Sequence, residues 1–504
     1  MQKAALKVTS QAVGTIRSQI FGSFVEHMGR CVYGGIFDPG SPFADAKGFR
    51  TDVVELTREM GVSVVRYPGG NFVSGYRWED GVGPVESRPT RLDLAWRSIE
   101  PNSFGLNEFM NWARLAEVEP MMAVNLGTRG VQEAADLIEY CNSDCDTQLS
   151  QLRQSHGIDT PHNIRAWCLG NEMDGPWQIG HKNAEDYAKL AAETAKAMRL
   201  VDPDITLIVC GSSHEEMPTF GDWETTVLEH SIEHVDLISL HAYYEKYGDD
   251  RLSFLASSAR MDRFIQRVIE RADEVSRRKG LDKRVNLSFD EWNVWYQKRF
   301  EGVDQLEFRH APRLIEDEYT VEDAVVVGSL LMTLMAHADR VDFACQAQLA
   351  NVIGPIRVEK DCPAWRQTTF FPFALSARAA GHTVLSGSLE TRSMDAELFE
   401  GLPMTQTVVT QSDDSSSLMI FALNRELEDE TQLTIDLTEI GSALEYTESH
   451  CLGGGNLELT NNLEHPEQVV PGALREVVVD GSTLTVVLPP TSWSAISLRL
   501  VSPS

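Results

Sequence analysis

Positive charge is scarce in this sequence. Lys and Arg number 44 against 75 Asp and Glu, a formal net charge of −31. A surface of that sign repels polyanions, so nucleic acid and anionic membranes are poor partners. Cysteine is scarce too: eight in 504 residues make no disulfide framework. Cys141 and Cys145 are the only close pair, and no Cys or His follows them at metal-ligand spacing. No run of about 20 apolar residues exists, which argues against a transmembrane helix. The opening MQKAALKVTSQ lacks the apolar segment of a signal peptide, so reduced thiols in a cytoplasmic protein are expected. No phosphate-loop pattern surrounds Gly69-Gly70, and no internal repeat or low-complexity stretch stands out. What remains is a composition of ordinary globular character, 42% hydrophobic and 24% charged. The length allows roughly two to four domains, one of which can be an α/β barrel of about 250 residues or more.

Eight short apolar runs punctuate residues 14–380. They are Gly22–Glu26, Ser63–Tyr67, Met121–Leu126, Arg165–Gly170, Ile205–Cys210, Val235–His241, Val285–Asp290 and Val341–Cys345. Continuous and often β-branched, they suit parallel strands covered on both faces. Amphipathic stretches lie between them, among them Thr51–Met60, Ala184–Leu200, Met261–Arg278 and Val321–Ala338. Eight βα repeats predict a (β/α)₈ TIM barrel, although one miscounted strand would turn it into an open doubly wound sheet. Beyond about His382, alternating patterns take over: Thr405–Gln411, Leu418–Leu423, Gln432–Leu437, Val477–Val479, Thr483–Leu488 and Ala495–Leu500. They predict a C-terminal antiparallel β-sandwich over 381–504, to which residues 1–13 contribute an extra strand.

In a barrel, function collects at the C-terminal ends of the strands. Nearly every run ends in polar residues: Glu26, Arg66, Asn71, Asn171-Glu172, His241 with Tyr243, Asp290-Glu291, and Gln348. Glu172 follows the fourth run and Glu291 the seventh, on opposing sides of an eight-stranded ring. Two carboxylates flanking a sugar ring are the equipment of glycoside hydrolysis, one donating a proton and one remaining ionised. Asp174 is a rival acid, but Glu172 directly follows its apolar run. Asn171 is placed to donate to a sugar hydroxyl or to an oxygen on the nucleophile side. Arg66 and Tyr243 are placed to donate to Glu291, and His241 to bond Glu172 or substrate. Glu26 can accept from sugar hydroxyls or pair with Arg30 or Arg66. Asn71 follows a Pro-Gly-Gly turn that brings backbone close to a ligand. Trp177 offers an apolar face to a sugar or to its own neighbours. The carboxylate pair by itself fits an endo-glucanase, a xylanase or a β-xylosidase equally well.

Five segments in order narrow that choice: Phe21–Phe37, Arg66–Pro84, Trp167–Gln178, His241–Tyr244 and Asp290–Trp295. Together they resemble the α-L-arabinofuranosidases of glycoside hydrolase family 51. The resemblance implies a (β/α)₈ barrel with a jelly-roll-like sandwich and a retaining exo-mechanism on arabinan, arabinoxylan or their oligosaccharides. Glu172 would be the acid/base and Glu291 the nucleophile. Glu26, Asn71, Asn171, His241, Tyr243 and Gln348 would bind the arabinofuranosyl ring or steady the glutamates. It implies no metal or organic cofactor, and commonly an intracellular homohexamer. Ser23 stands where some members carry His, a change in the pocket wall.

Overall fold

The computed structural model describes residues 1–246, 248, 250–441 and 443–501. Eight parallel strands close into a barrel: β1 (Gly22–Phe24), β2 (Val64–Tyr67), β3 (Glu119–Ala123), β4 (Ala166–Leu169), β5 (Thr206–Val209), β6 (Leu237–Tyr244), β7 (Asn286–Val294) and β8 (Val341–Ala347). All eight apolar runs are strands, and closure through the β8–β1 pairing excludes the open sheet. β6 and β7 continue past the ends expected from sequence. Their extra residues alternate between apolar side chains that join the core, Trp292 and Val294 among them, and the polar side chains of Tyr243, Glu291 and Asn293, because ladder pairing runs on where the apolar run stops.

The helices wrap the barrel by their apolar stripes. Ser257–Arg278 buries Met261, Phe264, Ile265, Val268, Ala272 and Val275 at helical spacing and leaves Arg263, Arg267, Arg271, Arg277 and Arg278 outside. The helix Val321–Ala336 departs from the amphipathic expectation, because every residue from Val321 to Met335 is buried. The reason is the second region of the molecule, which covers the face that a lone barrel would expose. Gly328 permits the close approach: a Cβ there would lie 2.6 Å from the Trp493 ring.

That second region is one nine-stranded, mostly antiparallel sheet. Its long N-terminal strand, Gln2–Thr15, joins the two halves. It pairs antiparallel with Thr383–Glu390 on one side and parallel with Thr431–Asp436 on the other. The sheet curls so that strands of both halves enclose one apolar core, including Leu6, Leu418, Ile420, Ile435, Leu484 and Ile496. Each such fully buried side chain contributes about 1.5–3 kcal/mol. Among the described residues no helix is long and apolar enough to cross a membrane.

Candidate active site

The ten residues singled out from sequence meet at the C-terminal mouth of the barrel. Glu291 is held from both sides: Arg66 Nη1 donates to its Oε2 at 2.9 Å, and the Tyr243 hydroxyl to its Oε1 at 2.7 Å. Arg66 Nη2 donates to Asn171 Oδ1 at 2.6 Å, and the Asn171 amide nitrogen donates in turn to Asn71 Oδ1 at 3.5 Å. The Arg66 guanidinium also packs over the Phe24 ring at 4.7 Å.

Glu172 has a different setting. Trp177 Nε1 donates to its Oε2 at 2.7 Å, and His241 Nδ1 lies 3.0 Å from its Oε1. Burial, then the negative charge of Glu291, push its carboxyl upward, against the hydrogen bonds from His241 and Trp177. Its backbone is left-handed, with φ +44°, a conformation that a non-glycine residue adopts at a cost and that is concentrated at functional sites. Trp177 is 47% exposed and stacks on His214 with ring centroids 6.2 Å apart. Its indole is thus both a donor to Glu172 and an open aromatic face. Asp174, the rival acid, is engaged by the Ser213 hydroxyl and by the Ser213 N–H at 3.1 Å.

His241 lies between three carboxylates. Its Nε2 is 2.9 Å from Asp290 Oδ1, and its Nδ1 is also 3.7 Å from Glu291 Oε2. Burial disfavours the imidazolium, but Glu291, Asp290 and Glu172 outweigh it and raise the ring to about 10. Glu26 makes no ion pair with Arg30, which is bound to Glu316 and Glu359. Instead it accepts from the Phe72 backbone and the Trp96 indole on Oε1, at 2.9 and 2.8 Å, and from Gln348 Nε2 on Oε2 at 3.0 Å. Burial raises it to about 8 against those hydrogen bonds. Gly70 marks where the parts converge. A Cβ there would lie 3.3 Å from Glu26 Oε2, 3.4 Å from Glu291 Oε2 and 3.5 Å from Asn171 Nδ2. Ser23 is buried behind the pocket, donating to the Gln346 carbonyl at 3.2 Å.

Two contacts had no clear sequence signal. Trp96 reaches Glu26 from the hairpin of Arg91–Asp93 and Ser98–Glu100, which lies outside the barrel strands. Asp290 reaches His241 although it neighbours Glu291 in sequence, and regular strand alternation would point the two to opposite faces. Among the described residues, one oxygen each of Glu172 and Glu291 and one nitrogen of His241 lie within 4.8 Å of one another, the sole grouping there with the makings of a cation site. Their atoms are already engaged by Trp177, Asp290, Arg66 and Tyr243, so a cation would have to displace hydrogen bonds. Paired carboxylates this close, at the mouth of a TIM barrel, define the class: a glycoside hydrolase.

Comparison with known proteins sharpens the class. The family described as "Alpha-L-arabinofuranosidase 1 domain" matches residues 56–262, and "Alpha-L-arabinofuranosidase C-terminal domain" matches 290–492. An "Intracellular exo-alpha-(1->5)-L-arabinofuranosidase" of Streptomyces lividans is 51% identical over 96% of this chain and 73% of its own length. An "Exo-alpha-(1->6)-L-arabinofuranosidase" of Bifidobacterium longum is 49% identical over 97% of this chain and 95% of its own. The solved structure of AbfB, a family 51 α-L-arabinofuranosidase from Bifidobacterium longum, superposes with a TM-score of 0.95 at 42% identity, covering 99% of this chain and 100% of that one. The chain belongs to the α-L-arabinofuranosidases of glycoside hydrolase family 51.

Proposed function

We propose that the protein is a retaining exo-α-L-arabinofuranosidase, with Glu291 as nucleophile and Glu172 as acid/base. The observation that carries the mechanism is the separation of the two carboxylates, with oxygens within 4.8 Å. Retaining pairs stand about 5–5.5 Å apart, whereas inverting pairs leave roughly 6.5–9.5 Å for a water. In the first step a Glu291 oxygen attacks the anomeric carbon, the bond to the leaving oxygen breaks, and Glu172 gives that oxygen its proton. In the second, water attacks the arabinosyl ester, Glu172 takes the water's proton, and Glu291 departs as carboxylate. The raised carboxyl of Glu172 suits the acid, and the donors Arg66 and Tyr243 suit a carboxylate that must carry negative charge. Once Glu291 is esterified its charge no longer opposes ionisation of Glu172, which favours the base role in the second step.

Glu26, Asn71, Asn171 and Gln348 bind the arabinofuranosyl hydroxyls, while His241 and Tyr243 steady the glutamates. Trp177, exposed beside the acid, receives the departing group. The catalytic unit is residues 14–380, and residues 1–13 with 381–504 form its sheet partner. The reaction draws its acid and its nucleophile from side chains and calls on no cofactor. The setting proposed is the cell interior, in keeping with the name of the Streptomyces lividans relative, and the assembly proposed is a homohexamer, which sedimentation would test.

Relatives named for 1→5 and for 1→6 linkages are equally similar to this chain, so linkage preference is a matter for a panel of arabino-oligosaccharides. The first test is hydrolysis of an aryl α-L-arabinofuranoside by the wild type beside Glu291→Ala. Turnover by the wild type and near-total loss in the variant is the expected result. A folded wild type without turnover would overturn the substrate. Early loss of polymer viscosity would mark an endo-acting glucanase or xylanase instead.

A further inference from the structure

Asp290 takes no part in either displacement, yet it is wholly buried one residue from the nucleophile. Burying a carboxylate is costly unless it is paired and hydrogen-bonded. Asp290 meets that condition through one imidazole and two small donors. Its Oδ1 lies 2.9 Å from His241 Nε2, and its Oδ2 accepts from Ser288 Oγ at 3.1 Å and from Cys168 Sγ at 3.5 Å. The backbone is shaped to allow it. Pairing of β7 with β6 shifts register between Ser288 and Glu291, and pairing with β8 shifts between Phe289 and Trp292. A bulge of that kind re-aims side chains, so consecutive residues both reach His241. The far nitrogen of the ring, Nδ1, is the atom beside Glu172. A chain Asp290–His241–Glu172 therefore joins the residue before the nucleophile to the acid/base.

We propose that Asp290 is a positioning residue for the second half-reaction, fixing a hydrogen on His241 Nε2 and committing Nδ1–H to the Glu172 carboxylate left after proton donation. The inference rests on the assignment of Glu172 and Glu291 made above. No proton need pass through His241. In the first step the Glu172 proton goes to the leaving oxygen, and the imidazolium Nδ1–H then donates to the new carboxylate. In the second, the proton of the attacking water goes to Glu172, the C1–O bond to water forms, and the ester bond to Glu291 breaks. The groups facing this chain agree in sign. Asp290 faces Arg66, His241, Ser288 and the thiols of Cys168, Cys210 and Cys345, while His241 faces Glu172, Glu291 and Asp290. Burial disfavours the Asp290 carboxylate, but Arg66 and His241 hold it below its ordinary range.

The test is Asp290→Asn in the full-length enzyme, with aryl α-L-arabinofuranosides of good and poor leaving groups. With a good leaving group, the wild type and the variant should form the arabinosyl-enzyme at similar rates. The variant should then show a burst of released phenol and a steady-state kcat lower by about 10–100-fold, the loss of one charge-assisted hydrogen bond. KM should fall with kcat, and azide, which needs no base to attack the ester, should restore turnover. A merely structural role would lower kcat and kcat/KM together, with no burst and no azide response, and that result would overturn the proposal. Should Asp290→Asn fail to fold, His241→Gln must show the same burst and azide rescue, and their absence would equally overturn it. A wild type that forms no arabinosyl-enzyme would instead overturn the underlying mechanism.

Discussion

The mouth of the barrel and the core of the sheet are both buried, but they bury opposite things. At the mouth, Arg66, Glu26, His241, Asp290 and Gln348 are all at most 3% exposed, and Glu172 and Glu291 only 9% and 7%. In the sheet, Leu418, Ile435, Ile496 and their neighbours pack as an apolar cluster. The sheet core is what folding favours, since each side chain gains from leaving water. The barrel mouth is what chemistry requires, since charges placed in a dry site act strongly on one another. The difference also separates two kinds of failure: changes at the mouth should appear in kcat, changes in the sheet in Tm.

The largest effect expected is at the carboxylates. Glu291→Ala should abolish turnover of an aryl α-L-arabinofuranoside, by about 10⁴-fold or more, with Tm little changed. Glu172→Ala should cost about 10²–10⁴-fold on poor leaving groups and much less on activated ones, because only the former need an acid. With azide, the two variants should give arabinosyl azides of opposite anomeric configuration, readable by NMR. Next, Tyr243→Phe removes the phenolic donor to Glu291 and should lower kcat/KM by about 10–100-fold, the equivalent of one hydrogen bond to a charged group. On the sheet side, Ile435→Ala should cost about 2–5 kcal/mol of stability in denaturant titration, with kcat unchanged below the new Tm. A fall in kcat there would break the division between the regions.

The smallest effect is a slope in stability against pH. Burial raises Glu26 from 4.5 to about 8 in the folded protein. A raised carboxyl contributes stability that is fully present below pH 4.5 and is lost as pH climbs through 8. Relative to Glu26→Gln, the wild-type Tm should therefore decline across that window, followed by calorimetry. A rise instead would contradict the buried setting of Glu26.

How much of this was legible in the sequence depends on which rule governs each residue. The eight barrel strands were plain, because a strand covered on both faces must be apolar throughout, although β6 and β7 run on through the polar residues that closed their apolar runs. Glu172 and Glu291 were legible for the same reason, as carboxylates directly after such runs. The full burial of Val321 to Met335 was not, because what covers the outer face of that helix includes the strand carrying Trp493, more than 150 positions later. The contact of Trp96 with Glu26 was not legible either, since the hairpin that delivers it has no barrel strand-end pattern. The reach of Asp290 was hidden by alternation, which the register shift in β7 defeats.

One measurement bears most directly on the account: mass analysis of Glu172→Ala during turnover of an activated aryl α-L-arabinofuranoside. With the base removed, the second step is slow, and the arabinosyl ester should accumulate on the peptide that contains Glu291, while product released in azide keeps the configuration of the substrate. Product of inverted configuration with no adduct, or an adduct on any other residue, would contradict the assignment of Glu291 and the double displacement built on it.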